Sequence, residues 1–210
     1  MARVQGKALE DARRIALLAS PARIELVDTL EALGGSATVA ELAAQLGRPA
    51  DGLYYHLRQL AAGGLVDEED GDGGRRYRVR ASGNGRLRLR YRPGATANAR
   101  AVGQVAGSVL RVAGRDFEAA LADPKTVAEG PARELWVARG KGWVGAAELT
   151  EINTLLTRLS SLLQQPRSPR RQRLVALSWV LAPVDAKPAR RSGGTAQARP
   201  RTSRVDDRRR

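Results

Sequence analysis

The chain has no cysteine, and among its 210 residues there is one histidine, one methionine and one phenylalanine. Without cysteine there is no disulfide, and a single histidine leaves no zinc or soft-metal site of the usual Cys/His kind. No metal and no cofactor is expected. Neither a glycine-rich phosphate loop nor a GxSxG element occurs, so no catalytic constellation assembles and the chain reads as non-enzymatic. Long apolar runs are missing too: the longest, LVALSWVLA at residues 174–182, is roughly half a bilayer span. The first twenty residues, MARVQGKALEDARRIALLAS, carry acids and no apolar signal region. A cytoplasmic protein with no membrane partner is expected.

Positive charge is present in excess. Lysine and arginine total 36 against 22 acids, a formal net charge of +14. Residues 185–210, DAKPARRSGGTAQARPRTSRVDDRRR, hold nine basic and three acidic residues, an excess of six. This segment contains almost nothing apolar and reads as a disordered basic tail, which attracts polyanions without reading sequence.

Before the tail the pattern predicts two domains, at 1–92 and 93–184, with 185–210 as the tail. Residues 11–33 read as two helices split at Ser20-Pro21, with Ser20 as N-cap and Pro21 in the first helical position, ending at Gly34-Gly35. In TVAELAAQLG, Thr38 and Glu41 have capping-box spacing and Gly47 stops the helix. A short turn leads to DGLYYHLRQLAAGGLV, a helix over 49–62 with Leu53, Leu57 and Leu60 on one face and Gly63-Gly64 as its stop. Two strands follow, 65–69 and 75–80, around a glycine-rich tip. Asn84-Gly85 signals a hairpin, and Arg86, Arg88, Arg90 and Arg92 alternate with Leu87, Leu89 and Tyr91 as a third strand.

Two short helices joined by a tight turn and followed by a glycine-tipped hairpin have the order of a winged helix-turn-helix, whose second helix enters the major groove. If the three leucines hold helix 49–62 on its core, Ala50, Asp51, Tyr54, Tyr55 and Arg58 point away from it. Tyrosine hydroxyls can bond phosphate or base edges, and Arg48 just before the helix suits a phosphate or a guanine. Packing under the wing is the alternative for the tyrosines. His56, on the flank of the leucine face, is either a packing or backbone-bonding histidine or a DNA contact. Arg75, Arg76 and Arg78 in the wing complete the candidate DNA-binding set. Asp67, Glu68, Glu69, Asp70 and Asp72 stand close by, so either those arginines neutralise acids locally or the wing contacts DNA weakly. The arginine row at 86–92 is either the solvated face of an edge strand or a further contact.

Beyond Pro93 a valine helix carries Val102, Val105, Val109 and Val112. PARELWVARGKGWVG then reads as a short strand or two, AAELTEINTLLTRLSSLL as a strongly amphipathic helix, and RLVALSWVLAP as a buried strand. The fold class expected is therefore α+β: a winged helix-turn-helix, then a smaller helical or α+β domain with a dimerisation or effector role, then the tail. Trp136, Trp143 and Trp179 with Phe117 read as core rather than as an effector pocket, so a small-molecule effector has no support.

On LASPARIELVDTL, TVAELAAQLG, DGLYYHLRQLAAGGLV and RRYRV, covering about residues 11–80, the sequence resembles the ArsR-type winged helix-turn-helix regulators. The resemblance implies a dimeric bacterial transcription regulator that binds an operator. Metal-sensing members carry cysteines in the first helix of the motif; VAELAAQL has none, so that activity does not carry over. The leading expectation is a homodimer on double-stranded DNA, reading an inverted repeat with helix 49–62 in the major groove and wing 65–80 on the backbone or minor groove. The alternative is a winged-helix protein-interaction or architectural factor that binds nucleic acid without sequence preference.

Overall fold

The computed structural model describes residues 8–71, 74–80, 87–165 and 167–184. The chain divides into two compact units, Met1–Trp179 and Val180–Arg210. Of the second, the described residues 180–184 are exposed and form no helix or strand. The tail at 185–210, Asn84-Gly85, Arg86 and Asp72 lie outside the described residues.

The first unit opens with α1 (Ala12–Leu17) and α2 (Pro21–Ala32). Ser20 is the N-cap of α2 with extended backbone, and Pro21 takes the first helical position, where its missing N–H costs nothing. Three residues, Ser36–Thr38, form β1, too short to show as a period-2 pattern and not anticipated from the sequence. Thr38 then caps α3 (Val39–Leu46). Its N–H donates to Glu41 Oε2 at 2.7 Å, and the Glu41 N–H donates to Thr38 Oγ1 at 3.2 Å, a closed capping box. At the other end Gly47 adopts φ +62°, the left-handed conformation that ends helices at low cost only in glycine. Helix α4 (Ala50–Ala62) follows, one residue shorter than expected because Pro49 is its N-cap.

Strands β2 (Val66–Gly71) and β3 (Gly74–Val79) pair antiparallel from Val66↔Val79 to Gly71↔Gly74. β1 adds to the other edge of β3, with Ala37 opposite Tyr77, giving a three-stranded sheet in the order β1-β3-β2. Alternation along β3 turns Tyr77 and Val79 inward, 1% and 4% exposed, and Arg76 and Arg78 to the opposite face.

The third strand expected at 86–92 is not in this sheet. Residues 87–92 run beside the start of the chain, joined by one bridge in which the Leu9 N–H donates to Arg88 O and the Arg90 N–H to Leu9 O. The alternation still has its physical effect: Leu87 and Leu89 pack on the core, while Arg90 and Arg92 pair with Glu10. Edge protection is not their role here, since the segment is not an edge strand.

The core gathers Ile15, Leu30, Leu42, Leu57 and Leu60, each fully buried. Helix α5 (Thr96–Ala122) lies on α1 and α2 and adds Ala101, Val105 and Val112 to the same core. Two buried polar groups on α5 fix that docking. Asn98 accepts from the Arg92 N–H at 2.9 Å and donates to the carbonyls of Glu10 and Arg90, and Ser108 Oγ donates to Ala19 O at 2.5 Å. A buried polar side chain must find such partners or destabilise the fold.

Beyond α5 the sequence expectation needs correction. Residues 131–145 and 173–183 contain no strand, and helix α6 (Ala146–Leu163) has no buried residue. An apolar run reads as a buried strand only if another strand or layer meets it, and none does so in this chain among the described residues. Nor are the tryptophans core: Trp136, Trp143 and Trp179 are 65%, 91% and 38% exposed, with the Arg133 guanidinium 3.2 Å from the ring centre of Trp136.

Candidate nucleic-acid interface

Helix α4 owes its orientation to three leucines. Leu53 is 3% exposed and Leu57 and Leu60 are wholly buried, so the 100° step per residue turns Asp51, Tyr54, Tyr55 and Arg58 to solvent. Tyr54 and Tyr55 are 42% and 57% exposed. Ala50 departs from expectation: it is half-buried and packs on the core at the start of the helix.

His56 sits on the flank, half-buried, with Nδ1 shielded and unpartnered and its ring edge-on to Tyr55 at 5.3 Å. Burial pushes its pKa below the usual histidine value, and the nearby cations Arg23 and Arg48 push the same way.

A shallow depression joins α4 to the wing, lined by Asp51, Tyr54, Arg58, Arg75 and Tyr77. Four of the sequence-derived candidates therefore share one surface. Arg58 forms no ion pair among the described residues, whereas each arginine of the wing is engaged by an acid. Arg75 lies 3.4 Å from Glu68 and 3.8 Å from Asp70, and Arg76 lies 3.4 Å from Glu41. Arg78 donates twice to Glu69, at 2.6 and 3.0 Å, and Arg80 donates to Asp67 in the same forked manner. Those bonds hold the Glu69 and Asp67 carboxyls below the usual carboxylate range. Of the two readings of the wing, local neutralisation is what the geometry displays.

Arg48 is not on the open surface with α4. Its Nη2 lies 2.9 Å from Glu25 Oε2 and donates to Oε1 at 3.2 Å, and Arg115 of α5 binds the same carboxylate. Glu25 was missed from sequence, although an acid between Ile24 and Leu26 on a buried helix is the kind of residue that needs a cationic partner. Arg14 was missed as well. From α1 it donates to the carbonyls of Gly63 and Gly64, at 2.9 and 2.7 Å, and so closes the C-terminal end of α4. No local sequence signal connects residues so far apart.

Among the described residues no three His, Asp or Glu side chains come together in a way that would hold a metal ion. No described helix is long and apolar enough to cross a membrane. No curated protein matches the chain. Residues 18–69, from the end of α1 through most of β2, match the family model of a helix-turn-helix domain.

Proposed function

We propose that the protein is a DNA-binding transcription regulator of the ArsR-like winged helix-turn-helix kind, acting as a homodimer on an inverted repeat. The observation that carries this reading is the division of α4 into a buried leucine face and a solvent face of Asp51, Tyr54, Tyr55 and Arg58. A helix pinned by its core and bearing hydrogen-bonding side chains outward is what major-groove readout requires. Arg58 and the tyrosines are the base- and phosphate-contacting groups. Arg75, Arg76 and Arg78 reach DNA only by exchanging their acids for phosphates, so the wing contributes little affinity. Arg48 acts indirectly, by fixing the turn that aims α4.

The wing also favours a second reading. A hairpin whose arginines are matched by acids is a near-neutral surface, suited to a protein partner, and in that case the basic tail binds nucleic acid without preference. Selection of genomic fragments by the purified full-length protein, with excess non-specific competitor DNA, separates the two. The regulator reading expects a palindromic motif whose enrichment disappears in Tyr55→Ala and Arg58→Ala. Uniform recovery, unchanged in both variants, sinks it.

A further inference from the structure

Helix α6 is 18 residues long and buries none of them. Its apolar stripe, Leu149, Ile152, Leu155, Leu156, Leu159, Leu162 and Leu163, lies exposed or half-exposed. A helix of that length is marginal in water and owes its stability to packing of its apolar face. No described residue buries it, and outside the described residues the only large apolar side chains are Met1, Val4 and Val205. The stripe lacks a partner among the described residues.

We propose that this partner is a second copy of the chain, with α6 packed antiparallel against its own symmetry mate about a two-fold axis between residues 155 and 156. The inference rests on the homodimer reading above and specifies its interface. Two observations carry it.

The first is spacing. Counted outward from the midpoint of Leu155 and Leu156, the stripe is close to a palindrome: Ile152 mirrors Leu159 and Leu149 mirrors Leu162, while Leu163 alone falls opposite Glu148. A two-fold interface is self-complementary, residue i meeting j while j meets i. Antiparallel pairing therefore sets every large apolar residue of the stripe except Leu163 against another. Parallel pairing imposes no such condition, and an unrelated partner would not need the palindrome.

The second is area. Leu149, Leu155, Leu159 and Leu162 are 42%, 52%, 39% and 58% exposed. Together they offer roughly 100–250 Å² of apolar side chain per copy. That falls short of the ~800 Å² per partner of an ordinary stable interface. The extended runs 131–144 and 174–179 flank α6 in sequence. Trp136, Trp143 and Trp179, at 65%, 91% and 38% exposure, add on the order of 300–500 Å². Val137, Val144, Leu174, Val175 and Leu177, each between 45% and 81% exposed, bring the total close to the ordinary size. Their unpaired backbones also gain strand partners if the two copies meet there. The unmatched strand pattern of these runs then has a cause: their ladder lies between chains.

The natural absence of cysteine makes the test direct. Single variants of the full-length protein, Leu155→Cys, Leu149→Cys and Leu162→Cys, are oxidised and separated without reductant. Pairing about the proposed axis expects Leu155→Cys to cross-link with itself, and Leu149→Cys and Leu162→Cys to cross-link only when mixed. Self-cross-linking of Leu149→Cys overturns the antiparallel register, and no cross-link in any combination overturns the α6 interface. In parallel, sedimentation of Leu155→Arg, with helicity checked by circular dichroism, is expected at half the wild-type mass. A dimeric Leu155→Arg also overturns the α6 interface, while leaving a dimer through another face. Loss of the palindromic motif in wild type, with these cross-links intact, would instead remove the DNA reading and leave the interface standing.

Discussion

Glu25 and Arg48 meet at 2.9 Å across the gap between α2 and the turn that introduces α4. The Glu25 side chain is 12% exposed, and Arg115 on α5 binds it from the other side. One carboxylate thus ties three elements together: the helix α2, the turn before α4 and the long helix of the second half. Removing it leaves two arginines facing each other in a partly dry site.

Glu25→Gln is expected to lower stability by about 1.5–3 kcal/mol, the range for hydrogen bonds to charged groups. Because Arg48 acts through the same contact, a double-mutant cycle of Glu25→Gln with Arg48→Ala in urea denaturation should show coupling of at least ~0.5 kcal/mol. Additive effects would mean that the pair does not hold the turn.

The wing yields a prediction of opposite sign from the usual loss of function. Arg78 is bound in a fork by Glu69. Glu69→Gln releases it and removes a repelling charge, so non-specific DNA affinity is expected to rise and the salt slope to steepen toward one further counterion per copy. Arg58→Ala, at a cation with no ion pair among the described residues, is expected to weaken binding by about 1–3 kcal/mol if it reaches a base. A salt titration of DNA binding for the two variants measures both. Unchanged affinity in Glu69→Gln would show that the wing stays clear of DNA even with its charge released.

Residues 11–80 were legible in the sequence because each boundary there is set locally. Ser20-Pro21, the Thr38–Glu41 box, Gly47 and Gly63-Gly64 act within a turn of chain, and the leucines of α4 repeat at helical spacing. What sequence could not supply depended on distant partners. β1 is three residues that become a strand only because β3 lies beside them. Leu87 and Leu89 alternate like a strand but find the core rather than a sheet. At the candidate site, Tyr54, Tyr55 and Arg58 were placed correctly by angle alone, whereas the ion pairs that occupy Arg48 and the wing arginines follow from tertiary approach. Beyond α5 the apolar pattern announced burial without saying in which molecule.

Arg14 offers a test of how the end of α4 is held. Its guanidinium donates to two carbonyls, Gly63 O and Gly64 O, in a geometry that a single ammonium cannot copy. Arg14→Ala is expected to cost about 1.5–3 kcal/mol. Arg14→Lys keeps a favourable charge at the helix C-terminus, worth about 0.3–1 kcal/mol, and should recover less than half of that loss. An Arg14→Lys variant as stable as the wild type would reduce Arg14 to a simple charge effect.

The pH dependence near neutrality is assigned to His56. Its pKa is depressed in the folded chain, chiefly by burial and further by Arg23 and Arg48, so the unfolded chain takes up the proton first. Stability from this group is fully present above the ordinary value of 6.5 and falls as the pH drops through the window just below it. Glu10, Asp67 and Glu69 are depressed carboxylates, and their contribution is lost only at lower pH, below their ordinary values. Urea midpoints compared at about pH 7.5 and 5.5 should therefore drop in the wild type and drop less in His56→Gln. An identical drop in both would assign the acid sensitivity elsewhere.

The two glycines that end α4 are required for different reasons, and substitution separates them. Gly63 has φ −79°, open to any residue, but an added Cβ would stand 2.0 Å from Leu17 Cδ1 on α1. Gly64 has φ +64°, and among the described residues a Cβ there would meet arginine tips at 3.5 and 3.7 Å, an ordinary contact, so the obstacle is backbone strain. Gly63→Ala is expected to destabilise by about 1–3 kcal/mol through overpacking, and Leu17→Ala in the same chain should recover part of it. Gly64→Ala is expected to cost about 1–2 kcal/mol, with no relief from Leu17→Ala. Chemical denaturation of the four variants decides the matter. Recovery at both positions would make steric approach of α1 the common cause, and recovery at neither would leave the close packing of α1 on Gly63 without energetic weight.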